Sequence, residues 1–430
     1  MRKTFITLLA ALTLGTGHIY AQSYQPAPEN LQARKEFQDM KFGIYSMLAD
    51  GEWVQHSKRI DRNEYSKLAG GFYPSHFSAH EWVKAFKDAG AKYITITSRH
   101  HDGFSMFDSK ATDYDIIDAT PFRRDILKEL ADECDRQGIK LHVYYSHMDW
   151  YRPDYPLGDT SKALPQPEGS ADWNSYFNFM NAQLTEILTN YGKIGAIWFD
   201  GMWDHPKDFD WQLDEQYALI HKLQPACLIG NNHHMAPHNG EDFQLFEQDL
   251  PGENSAGFSA GQEVSDMLPL ESCQTMNNTW GYNITDKSYK SADELIRRLV
   301  KSAGMNSNLL LNTGPRPDGQ LPDEAMARLQ EIGKWTKRYG ETIYGTRGGL
   351  IKPQPWGVTT QKGNTLYVHI LDLKEKSLTI PLSTKKIKSA RMYDDGSKLK
   401  LLKHGNDSTV INLPEVPQSV DTIVEIMLKK

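Results

Sequence analysis

Eight apolar runs of strand length, each bounded by turn-forming residues, recur along the first three quarters of the chain. They cover residues 41–47, 91–98, 140–146, 195–200, 227–232, 243–249, 270–276 and 308–314. They are nearly continuous rather than alternating, as strands are when both faces are buried. Between several of them the apolar spacing changes to that of a helix, over residues 78–89, 125–137, 173–191, 211–223, 292–303 and 322–339. Ser78 stands where an N-cap is needed, and Gly138 where a helix ends. Eight strand segments interleaved with helices predict an α/β fold, a parallel sheet closed as a (β/α)8 TIM-like barrel.

Beyond Gly348 the pattern changes to period two, over residues 365–373, 377–382, 389–393 and 422–428, with Gly, Asp and Asn turns between. This predicts a small antiparallel β-sandwich. Three segments follow: a leader at 1–21, a barrel at 22–347 and a sandwich at 348–430. The leader opens on Met1-Arg2-Lys3, continues in an apolar run from Phe5 to Leu14 and reaches a small residue at Ala21. That reads as a secretory signal peptide too short to span a membrane, which implies export to the periplasm or outside the cell. No later stretch is apolar enough to cross a bilayer.

Composition narrows the function classes. With 430 residues, 39% of them apolar, and a net charge of −7, the chain is neither disordered nor fibrous. The segment from Gly348 onward holds 13 basic and 8 acidic residues, so the acidic excess lies in the barrel. No basic face suggests nucleic acid, and an acidic body suits a neutral or cationic substrate. Nine of the ten tryptophans fall between Trp53 and Trp335, a density that fits both a packed core and a sugar-stacking cleft. Of Cys134, Cys227 and Cys273 at least one is a free thiol, and buried apolar thiols account for all three. Nothing in the sequence sets an oligomeric state.

A barrel carries its chemistry at the C-terminal ends of its strands. Asp200 closes a buried apolar strand, where a carboxylate is costly unless partnered or functional. Glu247 ends the strand two positions further around the mouth. Two carboxylates facing one aromatic cleft are the equipment of glycoside hydrolysis; carboxylates bonded to nearby backbone or Arg remain the structural reading. A metal site is the rival, with His100-His101 and His233-His234 as ligands and Asp200 as a third. Adjacent strand residues point to opposite faces, so each pair offers one ligand. The sequence contains no His-Glu-x-x-His or Cys-x-x-Cys motif, and the histidines are read as partners for hydroxyls. No metal or cofactor is expected. Gly257-Phe258-Ser259-Ala260-Gly261 matches the spacing of a nucleophile elbow, but Pro251-Gly252-Glu253-Asn254 precedes it where a strand is required, so it is read as a loop.

The residues at these strand ends resemble the α-L-fucosidases of glycoside hydrolase family 29. The matching stretches are Phe42-Gly43, Gly51-Glu52-Trp53, Ser98-Arg99-His100-His101-Asp102-Gly103-Phe104, Tyr144-Tyr145-Ser146 with Asp149-Trp150, Ile197-Trp198-Phe199-Asp200-Gly201, Trp280-Gly281-Tyr282, and Leu309-Leu310-Leu311-Asn312 with Gly314-Pro315. The resemblance implies a retaining exo-hydrolase of terminal α-L-fucose on oligosaccharides or glycoconjugates. It implies Asp200 as nucleophile and Trp53, His100, His101, Tyr145 and Trp280 as sugar-binding residues. Glu247 is the first choice of acid/base, Glu253 the second and Glu271 the third.

Two departures from the family pattern keep other readings open. The family's first strand runs into a His-Trp-Gly segment whose His binds fucose, whereas here Lys41-Phe42-Gly43-Ile44 passes into Tyr45-Ser46-Met47-Leu48. A shortened first strand and the loss of one hydroxyl partner are expected. At the fifth strand, Asn231-Asn232-His233 replaces the family's Asn-Asp-Arg and removes a positive charge near the leaving group. The alternatives are a catalytically weakened fucose- or glycan-binding protein on the same fold, and a barrel hydrolase for another sugar. Linkage preference falls to the loops at residues 151–171 and 250–267.

Overall fold

A computed structural model of the chain describes residues 24–47 and 53–429. The expected leader at 1–21 and the Gly51-Glu52 pair lie outside the described residues. The chain enters through helix α1 (Pro28–Met40) and strand β1 (Phe42–Ser46), followed by the short helices α2 (Val54–Lys58) and α3 (Arg62–Tyr65). Then come α4 (Ala79–Asp88), β2 (Tyr93–Arg99), α5 (Ile126–Gln137), β3 (Lys140–Ser146), α6 (Trp173–Asn190), β4 (Ala196–Asp200), α7 (Leu213–Leu223) and β5 (Leu228–Asn231). β6 (Gln244–Glu247), β7 (Leu270–Thr275), α8 (Ala292–Gly304), β8 (Ser307–Thr313) and α9 (Asp323–Tyr339) complete this part. Each of the eight sequence runs coincides with one strand.

The eight strands form one parallel sheet in the order β5-β4-β3-β2-β1-β8-β7-β6. Its edges, β5 and β6, lie side by side and nearly close the barrel. Asp242 stitches this seam: its backbone N–H donates to Ile229 O at 2.7 Å, and its Oδ2 accepts from Ile229 N at 2.8 Å. Arg34 of α1 pairs with the same carboxylate at 2.7 Å. α1 plugs the N-terminal end of the barrel, where Phe37 packs against Tyr93, His142 and Phe243. Gly43 and Gly230 leave room for these rings, since a Cβ on either would collide with Tyr93 or Phe243 respectively.

Local chemistry sets the helix ends. Ser78 Oγ accepts from Glu81 N and Ser291 Oγ from Glu294 N, each at the start of a Ser-x-x-Glu capping sequence. Asp125 and Asp172 cap α5 and α6 in the same way, and Gly138 ends α5 at φ 70°. The alternation of strand and helix breaks twice, because residues 232–243 and 248–269 contain no helix. Both segments leave the barrel mouth and return to the N-terminal end of the next strand without a helix.

β1 has five residues, against seven in each of its neighbours β2 and β8, in keeping with the expectation of a shortened first strand. It pairs with β8 from Phe42↔Leu309 to Ser46↔Thr313.

The C-terminal strands are β9 (Arg347–Gly348), β10 (Gly357–Lys362), β11 (Thr365–Ile370), β12 (Ser377–Ile380), β13 (Ile387–Met392), β14 (Lys400–His404), β15 (Ser408–Asn412) and β16 (Thr422–Leu428). They form antiparallel sheets β13-β16-β11-β10-β9 and β12-β15-β14 around a shared core that includes Leu366, Val368, Leu378, Ile380 and Ile411. β9, β10, β14 and β15 were not visible as runs in the sequence. Arg338 to Asp394 at 2.7 Å and Arg297 to Val420 O at 3.2 Å join this unit to the barrel helices.

Candidate active site

A cavity of about 630 Å³ opens at the C-terminal ends of the strands. Its lining includes Trp53, His100, His101, Asp200, Glu247 and Trp280, so six of the residues singled out from the sequence meet in one place. The wall is aromatic. Trp53 stacks on Trp203 with centroids 5.3 Å apart, and Tyr144 on Trp198 at 5.4 Å. Tyr45 of β1 and Met47 just after it join the lining, in the segment where the loss of a sugar-binding histidine was the expectation.

Asp200 ends β4 with its carboxylate held on both oxygens. Tyr144 Oη donates to Oδ2 at 2.8 Å, while Trp203 Nε1 and Asn232 Nδ2 donate to Oδ1 at 3.2 and 3.3 Å. Burial raises the Asp200 pKa above the usual carboxylate range, and these donors oppose that rise. Glu247 ends β6, and Asn232 Nδ2 donates to its Oε2 at 2.8 Å. Burial first, and then the charge of Asp200, push Glu247 up to about 7. Because one nitrogen touches both groups, those two oxygens are at most about 6 Å apart, below the range of an inverting pair (~6.5–9.5 Å) and compatible with a retaining one (~5–5.5 Å).

Tyr145 is a correction. It does not line the cavity: its hydroxyl donates to Gln183 at 2.8 Å, and its ring lies 4.4 Å from the Arg99 guanidinium. Strand residues alternate faces, so on β3 Tyr144 turns inward and Tyr145 outward. Arg99, itself buried, ties this outer layer together through Asp149, Ser146 O and Tyr176. The loop that follows is fixed by Trp150 N donating to His101 O at 2.6 Å.

The histidine pairs behave differently from each other. His100 and His101 were expected to diverge, yet both reach the cavity with ring centroids 4.1 Å apart. β2 ends at Arg99 after a register irregularity between Thr97 and Arg99, so the period-two rule no longer governs the pair. His233 and His234 do diverge. His233 turns away to Glu241 at 2.9 Å, and His234 lines the cavity with Nε2 3.6 Å from Glu247 Oε2.

The tautomer of His101 follows from its neighbour. Ser146 Oγ donates its only proton to Met148 O at 2.7 Å, so it accepts from His101 Nδ1 at 2.6 Å. Nε2 is then the unprotonated nitrogen and points toward Asp200 Oδ2, 3.6 Å away. Burial first, and then His100, Arg99 and His56, hold the His101 pKa well below the usual histidine value.

The other two acid/base candidates lie elsewhere. Glu253 sits on the outside of a turn, 3.9 Å from Arg298, with its side chain 45% exposed. Glu271 lies one layer below the cavity on β7 and accepts from Tyr93 Oη and, at 2.9 Å, from Trp198 Nε1. Burial pushes Glu271 up to about 7, against these two hydrogen bonds. A folded pKa above the ordinary value means the group destabilises the fold progressively as pH rises from about 4.5 through 7. Glu271→Gln is therefore expected to melt higher than the parent at pH 8, by about 1–3 kcal/mol, and to match it at pH 4.5. Thermal melts at the two pH values check this, and turnover within about tenfold of the parent separates Glu271 from the acid/base role.

The sequence reading had not singled out Tyr45, Met47, Tyr144, Trp198, Trp203, Asn232, Thr160 or Phe258 as cavity residues. Thr160 belongs to a loop fastened by Asp204, whose carboxylate accepts from Tyr155 Oη and Ser161 Oγ at 2.8 and 2.6 Å, and from Gly158 N and Ser161 N. Phe258 comes from the residues that mimicked a nucleophile elbow; neither a strand before Ser259 nor a helix after it is present. The three cysteines are buried and unpaired, with Cys273 at the cavity floor.

A family model described as alpha-L-fucosidase matches residues 12–341. A putative alpha-L-fucosidase of Caenorhabditis elegans is 29% identical over 366 residues, covering 77% of this chain and 71% of that protein. The tissue alpha-L-fucosidase of Homo sapiens is 26% identical over 423 residues, covering 88% and 83%. Among solved structures, alpha-L-fucosidase isoenzyme 1 of Paenibacillus thiaminolyticus superimposes with a TM-score of 0.82 at 33% identity, covering 94% of this chain and all of that one. A family 29 alpha-L-fucosidase of Bacteroides thetaiotaomicron, trapped as a covalent intermediate with 2-fluoro-fucosyl fluoride, gives 0.80 at 25% identity, covering 95% and 98%.

Proposed function

The chain belongs to the alpha-L-fucosidase family, and from that premise we propose how its cleft releases terminal α-L-fucose from oligosaccharides or glycoconjugates. The observation that carries this reading is the pair Asp200 and Glu247, facing one aromatic cavity and held close by one amide. Asp200, ionised, attacks the anomeric carbon as Glu247 protonates the departing glycosidic oxygen. The resulting fucosyl ester on Asp200 is hydrolysed by water that Glu247, now a carboxylate, deprotonates. Two inversions give net retention. The bare Nε2 of His101 accepts a sugar hydroxyl, and the Trp198 and Trp280 rings hold the sugar's apolar face.

The glycan-binding alternative gains no support from this arrangement. Asn232 and His234 line the cavity beside Glu247, next to the strand where the loss of a cation was expected. None of the described cavity residues is Lys or Arg. Burial pushes His234 down to about 4, so among the described cavity residues the charge that acts on Glu247 is that of Asp200.

The test is release of 4-nitrophenol from 4-nitrophenyl α-L-fucoside across pH. Activity requires Asp200 ionised and Glu247 protonated. A bell is expected for kcat/KM, falling on the alkaline side near pH 7, where Glu247 loses its proton, and on the acid side as Asp200 gains one. Fucose binding without release would overturn the enzymatic reading.

Export to the periplasm or outside the cell is proposed from the basic start and apolar run of the leader. Mass analysis of the mature N-terminus, with cleavage after Ala21 expected, checks it.

A further inference from the structure

The Asp200–Glu247 pair carries one negative charge, and that charge moves during the reaction. In the resting site it sits on Asp200. Once the fucosyl ester has formed and the proton has left with the alcohol, it sits on Glu247. A fixed cation beside Glu247 would stabilise the second state at the expense of the first and weaken Glu247 as an acid. A neutral donor that reaches both groups favours neither.

Asn232 has that geometry. It follows β5, is 2% exposed, and its backbone N–H extends the ladder to Phe199 O at 2.9 Å. Its two Nδ2 hydrogens serve different partners, Glu247 Oε2 at 2.8 Å and Asp200 Oδ1 at 3.3 Å. The opposite amide orientation would turn Oδ1 toward an ionised carboxylate, so the chemistry of the neighbours fixes which atom is nitrogen. The only hydrogen bond to the Glu247 carboxyl among the described residues is this one. It occupies Oε2 and leaves Oε1 available to carry the proton.

We propose that Asn232 is a positioning residue for the double displacement: a neutral two-way donor that holds both carboxyl groups and stabilises their shared charge on whichever one bears it. This rests on the assignment of Asp200 and Glu247 above. Because the amide stabilises both carboxylates, its removal weakens both as anions, and both limbs of the pH profile must move in the same direction.

The experiment compares pH profiles of kcat/KM for the parent, Asn232→Ala and Asn232→Asp on 4-nitrophenyl α-L-fucoside. Asn232→Asp keeps the side-chain shape, so it reports on the donor even if Asn232→Ala folds poorly; melting curves establish folding. The expected result is a fall in kcat of about 10²-fold or more with a smaller change in KM. Both limbs are also expected to move to higher pH, by about 1 pH unit for Asn232→Ala and further for Asn232→Asp. A profile that drops without moving, or limbs that move in opposite directions, overturns the inference, as does parental activity in Asn232→Asp. Asp200→Ala and Glu247→Gln run alongside keep the two claims separate. Parental activity in those variants removes the catalytic assignment itself, whereas their inactivity beside unmoved limbs in the Asn232 variants removes only the role of Asn232.

Discussion

Replacing Asp200 with Ala is expected to lower fucose release by about 10⁴-fold or more, the largest effect of any substitution in the cavity. Three donors converge on this carboxylate, from Tyr144, Trp203 and Asn232; they hold it in place and oppose the rise in pKa that burial causes. Ala leaves no atom to form the ester, and no other carboxyl among the cavity residues stands in its place, since Glu247 is needed as the acid. The charge of Asp200 also raises the Glu247 pKa, so its loss lets Glu247 ionise at lower pH and weakens it as the acid in what activity remains. Asp200→Gly supplies the positive control. Azide can enter the vacated space and attack from the face Asp200 used, giving fucosyl azide of inverted configuration. The readouts are kcat/KM and product configuration by NMR. Activity of Asp200→Ala within tenfold of the parent would remove Asp200 from the nucleophile role.

The strands were legible because a barrel strand buried on both faces leaves a continuous apolar run, and strand-end chemistry then follows from the fold. What the runs do not encode is phase. Tyr144 and Tyr145 are adjacent and identical, and only the pairing Tyr144↔Trp198 beside Ser146↔Asp200 places Tyr144 on the catalytic face. The same argument explains His100 and His101, since a ladder irregularity two residues upstream is a three-dimensional event with no signature in composition. α1 was missed because it buries just Asn30, Ala33 and Phe37, too few apolar positions to show a period. Asn232 was visible as a departure from a family pattern, but its value lies in one nitrogen between two carboxyl groups, which no single sequence position reports. Glu247 and Glu253 are six residues apart; a turn separates a carboxyl in the cavity from one half in solvent.

Glu247→Gln is the complementary case, because its effect depends on the leaving group. The amide keeps the shape of the side chain but carries no transferable proton. A sugar alcohol leaves poorly without one, so hydrolysis of a fucosylated disaccharide is expected to fall by about 10³-fold. A 4-nitrophenolate leaves as a stable anion, so the first step survives on that substrate and the second, which needs a base for water, becomes slow. Nitrophenol then appears as a burst of one equivalent per enzyme, followed by a low steady rate. The alkaline limb near pH 7 should disappear with the group that causes it. Azide added to Glu247→Gly attacks the accumulated ester on Asp200 from the opposite face and gives the azide of retained configuration, the mirror outcome to Asp200→Gly. The two configurations assign the two roles independently of rate. Glu253→Gln, altered outside the cavity, should keep parental rates on both substrates. If it loses the disaccharide activity while Glu247→Gln keeps it, the acid/base belongs to Glu253, and the loop at residues 248–269 must close over the cavity during catalysis.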